Sequence, residues 1–460
     1  MTPPNIVLML IDDLGWRDIS CCGSSFYETP NLDRLAVEGM RFTDAYAACP
    51  VCSPTRASIL TGRYPARVGI TNWIGGHTTG RLLDVPYLDH LPAEECCLAR
   101  ALRAGGYATW HVGKWHLGGR PFHPEDHGFE VNLGGCSWGS PRGGYFSPWG
   151  IETLAEAEPG TYLTDQLTDL AVDLVQRRDG RPFFLNLWHY AVHTPIQAPA
   201  ALVEKYRAKA HRLGLDRLQA LEPGEPFPCA HKRHQRVTRR RLQSDPTYAA
   251  MVEALDSNVG RLLRALDDAG VTDNTLVIFT SDNGGLATAE GSPTCNAPLA
   301  EGKGWMYDGG VREPLLIRWP GVIRAGSVCT EPVTSPDFYP TLLEAAQLPP
   351  QRQQHLDGIS LMPLLREDGP FPQRAIFWHY PHYGNQGGTP GCAVRLGDYK
   401  LIEFFEDGHL ELYDLRRDVS ETHNLAAEQP ARAAAMQRLL TDWRAQVHAK
   451  VPEPNPAWVG

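Results

Sequence analysis

The sequence has no apolar run approaching the ~20 residues that a membrane-spanning helix needs. Its first apolar run, at residues 6–11, is too short for the core of a signal peptide and has no basic residue before it. We therefore expect a protein that has no contact with a membrane. The expected location is the cytoplasm, or the periplasm or exterior if a leader has been removed.

Positive charge is also scarce, and the formal net charge of −10 argues against a general nucleic-acid binder. The exception is the basic stretch at residues 231–241 (HKRHQRVTRRR), which is typical of a solvated surface or, alternatively, of a contact with an anionic partner. Repeats and low-complexity tracts are absent. Eleven cysteines, an odd number that includes two adjacent pairs, favour a reducing compartment over a disulfide scaffold.

Apolar strands alternate with amphipathic helices over most of the chain. Strands are predicted at residues 5–11, 107–112, 182–189 and 276–280, and helices at residues 31–39, 98–106, 164–178 and 248–270. This alternation predicts an α/β fold with a large, mostly parallel central sheet flanked by helices. Residues 200–241 are interpreted as an insertion between helices.

The tail differs from the rest of the chain. It is aromatic and rich in turn residues, and two strand-like runs on either side of residues 406–408 predict an antiparallel hairpin, followed by a helix at residues 430–449. A chain of 460 residues favours two unequal domains. We predict a catalytic α/β domain at residues 1–370 and a smaller C-terminal α+β subdomain with a short antiparallel sheet at residues 371–460.

Reactive side chains follow four of the predicted strands at the point where each strand ends. A single such residue is often only a helix cap or a structural histidine, but ligands collect at the carboxyl ends of strands in open α/β sheets, so we expect the four ends to share one crevice. The residues are Asp12 and Asp13, then Lys114 and His116, then His193, and finally Asp282 and Asn283.

The oxygen donors in this set suit a hard divalent cation. Three carboxylates and one amide, without thiolate, favour Ca²⁺ or Mg²⁺ over zinc. A cation together with fixed positive side chains suits a tetrahedral oxyanion, so the residues predict a site for a sulfate or phosphate ester. The positive side chains available are Arg56, Lys114, Lys303 and one or two histidines.

Residues 52–63 (CSPTRASILTGR) match the sulfatase signature, C-x-P-x-R followed by x-x-x-L-T-G-R. The chain also resembles that family at residues 5–13, 113–118, 193–195, 281–285 and 301–303, and its tail resembles the family's C-terminal subdomain. Order and spacing agree over nearly the whole chain, so it is identified as a member of the sulfatase family. The other interpretation of the stretch CPVC, a redox pair of Cys49 and Cys52, lacks a thioredoxin-like context. Cys49 is expected to be structural.

The resemblance implies a particular chemistry for Cys52. In sulfatases this cysteine is oxidised after translation to formylglycine (3-oxoalanine), whose hydrate attacks sulfur with one hydroxyl and then expels sulfate by re-forming the aldehyde. A formylglycine-generating enzyme is therefore an implied partner, and it is expected to read Pro54 and Arg56. The implied substrate is a sulfate ester of a small molecule or an oligosaccharide.

The resemblance also implies the metal ligands. Ca²⁺ is expected, with Mg²⁺ possible, because about six oxygen donors are more protein ligands than Mg²⁺ usually accepts. The ligands would be Asp12, Asp13, Asp282, Asn283 and the modified Cys52.

Five further side chains receive catalytic roles from the resemblance. Arg56 should neutralise the carboxylates and brace the hydrate, while Lys114 and Lys303 should hold sulfate oxygens. His116 fits the base that takes the proton of the hydrate's second hydroxyl, and His193 fits the acid that protonates the departing alcohol. The reverse assignment, with His116 as the acid and His193 as the base, is the alternative.

The substrate itself is not fixed by the sequence. A sulfated sugar and a small aryl sulfate both stay open, and the polar tail favours a sugar. A phosphonate monoester or phosphodiester hydrolase is the alternative enzyme, and a non-catalytic sulfoglycan-binding protein is the alternative from another class. Candidate pocket residues are His77, His379, His382, Tyr383, Trp73, Trp138 and Trp149.

Overall fold

A computed structural model describes residues 2–458 of the chain. The strands are β1 (Asn5–Ile11), β2 (Met40–Tyr46), β3 (Ala108–Gly113), β4 (Val131–Leu133), β5 (Phe183–Trp188), β6 (Leu221–Pro226), β7 (Arg236–Arg240), β8 (Thr275–Ser281), β9 (Arg312–Arg318), β10 (Ser327–Cys329), β11 (Val333–Thr334), β12 (Ala375–Tyr380), β13 (Gly391–Leu396), β14 (Tyr399–Phe404) and β15 (Leu410–Asp414). The helices are α1 (Pro30–Glu38), α2 (Cys52–Thr61), α3 (Pro65–Val68), α4 (Leu98–Ala104), α5 (Leu163–Gln176), α6 (Ala200–Leu213), α7 (Pro246–Asp268), α8 (Asp308–Val311), α9 (Phe338–Ala345), α10 (Met362–Arg366) and α11 (Pro430–Gln446). None of the helices in residues 2–458 combines the length and apolarity needed to cross a bilayer.

A nine-stranded sheet lies at the centre, in the order β10-β2-β9-β8-β1-β5-β3-β4, with β11 also paired to β2. Strand β9 runs antiparallel to β2 and β8, while the other neighbours run parallel. Strand β1 is apolar and buried along its whole length, because its alternating side chains enter two separate core clusters on the two faces of the sheet. The predicted α/β fold with a mostly parallel sheet is confirmed.

The predicted elements of this sheet are present. The four predicted strands are β1, β3, β5 and β8, and the four predicted helices are α1, α4, α5 and α7, with each end displaced by two residues at most. The insertion at residues 200–241 contains helix α6, which contacts α7, and the two-stranded hairpin β6–β7.

The C-terminal residues form a separate antiparallel sheet, β12-β13-β14-β15. Helix α11 covers one face, where the Trp443 ring stacks on Phe377 at 4.7 Å between centroids. The other face packs Trp378 against Tyr46 of the large sheet. The hairpin predicted around residues 406–408 joins β14 to β15, and the run before it forms a further hairpin, β13–β14. Because the two sheets share a core cluster, the domain boundary at residue 370 stays a prediction.

A buried ion cluster also joins the C-terminal sheet to the rest of the chain. Lys400 of β14 lies with its Nζ 2.8 Å from Oδ1 of Asp308, the first residue of α8, and 2.9 Å from Oε1 of Glu421. All three side chains are fully buried. Burial raises the pKa of Glu421 to about 7, against the opposing effect of Lys400. One ammonium is therefore shared by two carboxylates that are cut off from water, and Asp308 also lies 3.5 Å from Nη1 of Arg312.

We expect Lys400→Met to lower the free energy of unfolding by about 3–5 kcal/mol, because it leaves the buried carboxylate of Glu421 without its cation. The pKa of Glu421 is already above its usual value and should rise further. The folded state then binds more protons than the unfolded state, so its stability falls as the pH rises. Chemical denaturation at pH 5 and pH 8 should show the larger loss at pH 8.

Lys205→Met is the matched control, because Lys205 also lies between two glutamates, Glu28 and Glu253, but is 40% exposed. Its loss should stay below about 1 kcal/mol. Similar losses for the two variants would contradict the importance assigned to the buried cluster.

Candidate active site

The four predicted strand ends meet at one edge of the central sheet. Strands β8, β1, β5 and β3 are consecutive neighbours and run parallel, so their carboxyl ends lie side by side. The backbone continues this order past the strand ends, since Asp282 N donates to Ile11 O at 3.0 Å and Lys114 N to Trp188 O at 2.7 Å. The structure thus brings together the side chains that the sequence assigned to one crevice.

Helix α2 carries Cys52 and Arg56 to this edge. Cys52 is the first residue of the helix, and Arg56 follows one turn later, so the C-x-P-x-R spacing places both side chains on one face. Pro54 lies in the first turn, where a missing backbone N–H costs no helical hydrogen bond. All ten residues of the helix are buried. The Cys52 Sγ lies 3.3 Å from His116 Nδ1, and burial raises the pKa of the thiol.

Three buried carboxylates face three buried cations. Asp282 Oδ2 accepts hydrogen bonds from Arg56 Nε and Nη2 at 2.9 and 2.7 Å. Lys114 Nζ donates to Asp12 Oδ2 at 2.7 Å. In the third pair, Lys303 Nζ donates to Asp13 Oδ2 at 2.8 Å. Carboxylates and cations are equal in number, so each buried carboxylate has a positively charged partner.

The two adjacent aspartates differ in their electrostatics. Burial raises the pKa of Asp12 to about 8, although Lys114 lowers it. For Asp13, the attraction of Lys303 and His193 outweighs burial and holds the pKa below its usual value. Burial is also the main reason that the pKa of His193 falls to about 3 and that of His116 falls well below its usual value. Both imidazoles are therefore neutral at pH 7 in the protein alone.

Several oxygen atoms at this edge fit a metal ion. Asp12 Oδ1 and Asn283 Oδ1 are buried, and neither has a hydrogen-bond partner within residues 2–458. Asn283 donates from its Nδ2 to Asp13 Oδ1 at 2.9 Å, which leaves its amide oxygen free to bind a cation. Ligand atoms of Asp12, Asp13 and His193 lie within 4.8 Å of one another. Because unpaired buried oxygens are costly and hard cations prefer such donors, the residues present fit a divalent metal.

A cavity of about 240 Å³ opens above Cys52. Five residues named from the sequence line it: Cys52, Trp73, His116, His193 and Lys303. Sequence reasoning missed several others, which come from loops without helical or strand periodicity, namely Ser140, Arg142, Glu290, Asn385 and Gln386. For Asn385 and Gln386, the only local feature of the sequence that could have indicated a site is the glycine-rich stretch at residues 384–388.

The other predicted pocket residues are held by partners in the protein and are not among the residues that line this cavity. His77 and His382 both place Nδ1 within 3.0 Å of Asp84, and His382 also contacts Thr71. The ring nitrogen of His379 donates to a backbone carbonyl at Lys450. Further hydrogen bonds hold Tyr383 and Trp149, and the ring of the last residue, Trp138, is covered by the guanidinium of Arg142. Their role in substrate binding stays a prediction.

A larger cavity, of about 350 Å³, lies at residues 239–241, the end of the basic stretch. Its arginines are already paired: Arg239 with Glu225 and Glu301, and Arg241 with Glu222. None of the strand-end residues lines it. The smaller cavity above Cys52 is therefore the better candidate for chemistry.

Adjacent strand ends, a buried carboxylate–cation cluster and an open cavity define an α/β enzyme suited to esters of tetrahedral oxyanions. The sulfatase family model matches residues 4–348, and the model described as N-sulphoglucosamine sulphohydrolase, C-terminal, matches residues 301–448. The chain therefore belongs to the sulfatase family and is a sulfuric ester hydrolase of the arylsulfatase-like type.

Named relatives agree with this assignment. The chain is 34% identical to a sulfatase of Formosa agariphila, with 96% of this chain and 88% of the relative covered. It is also 34% identical to the human N-acetylgalactosamine-6-sulfatase, over 86% of this chain and 71% of the relative. Among solved structures, Ps i-CgsB in complex with k-i-k-neocarrahexaose superposes with a TM-score of 0.78 at 29% identity, covering 99% of this chain and 95% of that one.

Added Ca²⁺ should raise the melting temperature of metal-free protein, because a cation would satisfy the unpaired oxygens of Asp12 and Asn283. At a concentration a hundredfold above Kd, we expect a rise of about 3 °C for a chain of this length. Asn283→Ala should weaken the response. Asn274→Ala, at the other end of strand β8, should keep it. Equal responses in the two variants would exclude Asn283 as a ligand.

Proposed function

We propose that this protein hydrolyses a sulfate monoester of a carbohydrate, using a formylglycine formed from Cys52 and a bound Ca²⁺. The observation that carries the proposal is the position of Cys52, which lines the cavity and lies beside His116 at the edge of the buried charge cluster. The formylglycine hydrate would supply the nucleophilic oxygen, and the cation would offset negative charge on the sulfate oxygens. Its proposed ligands are Asp12, Asp13, Asp282, Asn283 and residue 52.

Ca²⁺ is proposed over Mg²⁺ because of the number of protein oxygens available. Mg²⁺ keeps several waters and takes few protein ligands, whereas Ca²⁺ accepts six to eight oxygens with flexible geometry. The carboxylates of this edge, the amide of Asn283 and residue 52 together suit the larger ion.

Side chains around residue 52 have separate tasks in this proposal. His116 is neutral and its Nδ1 faces residue 52 at 3.3 Å, so it can accept a proton there. Lys303 lines the cavity with its ammonium held by Asp13, so it presents a fixed positive charge to the ester. Lys114 is buried and does not line the cavity, so it contributes its charge through the pair with Asp12, and Arg56 fixes Asp282.

His193 is proposed as the acid that protonates the departing alcohol, a role that requires the negative charge of the bound ester to raise the pKa of its imidazole so that it carries a second proton. It lines the cavity, with Nε2 3.6 Å from Asp13 Oδ2, while its Nδ1 faces the carbonyl oxygen of Thr194 at 2.8 Å. Tyr145 fixes the backbone here, since its hydroxyl lies within hydrogen-bond distance of the Tyr190 and His193 carbonyls, at 2.6 and 2.9 Å. A positioned imidazole at the cavity wall is the arrangement that proton transfer to a leaving group needs.

Conversion of Cys52 must precede folding in this proposal. Cys52 is 3% exposed, Arg56 is fully buried, and Pro54 is buried as well within α2. A modifying enzyme therefore has no access to them in the folded chain. The proposed partner, a formylglycine-generating enzyme, therefore acts on the unfolded or nascent chain. The cytoplasm is the proposed location, since none of the cysteines in residues 2–458 forms a disulfide, as a reducing compartment favours.

A carbohydrate substrate is proposed from two lines of support. One relative is named for the 6-sulfate of N-acetylgalactosamine, and a structural neighbour holds a neocarrahexaose. The cavity is also lined by polar side chains suited to hydroxyls, including Ser140 and Asn385. Steady-state rates on matched aryl sulfate, phosphate diester and phosphonate esters test the alternative enzyme. A clear preference for a phosphorus ester would overturn the sulfatase substrate.

Cys52→Ala should abolish sulfate release while the protein stays folded, because the side chain is one of several groups at the site. Mass spectrometry of the peptide containing residue 52 should show wild-type material lighter than the unmodified peptide by one sulfur-for-oxygen exchange and two hydrogens. Cys49→Ala is the matched control and should keep the modification at residue 52. Near-wild-type turnover by Cys52→Ala would overturn the mechanism, and binding without turnover by converted protein would favour a sulfoglycan-binding protein.

His193→Ala should lose about 10²-fold more rate on a sugar sulfate than on an activated aryl sulfate, because a sugar alkoxide needs a proton to leave and a nitrophenolate does not. His116→Ala should instead slow the release of sulfate from the enzyme. Because this step is common to all substrates, the loss of rate should not follow the pKa of the leaving group. Rates over a leaving-group series measure both effects. Equal losses across the series for His193→Ala would transfer the acid role to Lys303.

A further inference from the structure

The mouth of the active-site cavity carries a cation that no part of the proposed mechanism uses. Arg142 lines the same cavity as Cys52 but is exposed, so it lies at the mouth while Cys52 lies at the floor. Its guanidinium stands over the Trp138 ring, 4.9 Å from the centroid. Within residues 2–458, Arg142 has neither a hydrogen bond nor an ion pair. An arginine without an acidic partner is available to a negatively charged ligand.

The loop that presents Arg142 is fixed to the catalytic groups. Gly139 lies so close to the His116 ring that a Cβ there would be 2.5 Å from Cε1, which only glycine permits. After Arg142, the backbone turns through a hydrogen bond from Gly144 N to Pro141 O at 2.8 Å. Tyr145 then ties the loop to the carbonyl of His193. The backbone that carries Arg142 is therefore fixed relative to both histidines, and the Trp138 ring is the surface against which the guanidinium rests.

The opposite charge at the mouth belongs to Glu290. It also lines the cavity, and its Oε1 accepts a hydrogen bond from Gln386 Nε2 at 3.1 Å. It has φ of 53°, a left-handed conformation that is uncommon outside glycine and is often found at functional sites. Glu290 and Arg142 are not within ion-pair distance of each other. An anion at the mouth is thus attracted to the Arg142 side and repelled from the Glu290 side.

We infer that Arg142, held on the ring of Trp138, binds a second anionic group of the substrate, a sulfate or a carboxylate on the sugar unit next to the one that is cleaved. The inference rests on the proposed function. A cavity of about 240 Å³ is smaller than the roughly 300–1,000 Å³ of drug-sized ligand pockets, so further units of an oligosaccharide must lie at its mouth. Arginine pairs with sulfate and carboxylate through two parallel hydrogen bonds, which gives this position its specificity.

The test compares the best monosulfated sugar with two matched disaccharides, one carrying a second sulfate and one a uronic carboxylate on the neighbouring unit. Wild-type enzyme should prefer the substrates with a second anion. Arg142→Gln should reduce that preference in kcat/KM by about 10-fold, the size of one charge-assisted contact. The loss should lie in KM, because the contact exists before and during the chemical step. The wild-type preference should also weaken with added salt, and the variant's should not.

Arg142→Lys, which keeps the charge but not the planar fork, should give an intermediate preference. Arg264→Gln, an exposed arginine on α7 that does not line the cavity, should match the wild type. A loss confined to one disaccharide identifies the anion as sulfate or carboxylate, and a loss on both shows that charge alone is recognised. If the wild type releases sulfate but Arg142→Gln keeps the same preference, this inference is wrong and the proposed function stands. If the wild type releases no sulfate from any substrate, both fail.

Discussion

Three carboxylates buried side by side impose the strongest constraint on this molecule. Asp12, Asp13 and Asp282 follow neighbouring parallel strands, so the sheet order itself places them together. Buried like charges are tolerated only when cations reach them with good geometry. Arg56, Lys114 and Lys303 do so from a helix, a strand end and a loop, which fixes the positions of those three elements relative to the sheet.

The same constraint explains why helix α2 is buried along its whole length. Its first turn places residue 52 at the cavity floor and its second places Arg56 against Asp282, so the helix lies inside the protein rather than on its surface. Burial then makes residue 52 inaccessible to any large modifying enzyme. In the proposed mechanism, chemistry at this position therefore depends on an event that takes place before the fold exists.

The sequence predicts the centre of the molecule well because its signals there are local. Strand β1 is apolar along its whole length, and Asp12 and Asp13 mark its end; the same holds for β8 and Asp282. Strand β2 (MRFTDAY) was missed because charged residues interrupt its apolar pattern, and the tertiary partners that stabilise it are far away in sequence. Arg142, Glu290 and Gln386 were missed for a related reason, since three separate loops bring them to one cavity.

The floor and the mouth of the cavity therefore differ in how their charged side chains are arranged. At the floor, carboxylates and cations cancel one another, so the proposed divalent ion would leave a net positive charge that favours any sulfate ester. At the mouth, Arg142 and Glu290 are exposed and are not paired with each other, so both are available to a substrate. In the proposed mechanism, a change at the floor would alter whether the ester is hydrolysed, whereas a change at the mouth would alter which ester is bound. Selectivity among sulfated sugars can thus change without disturbing the buried charges on which the fold depends.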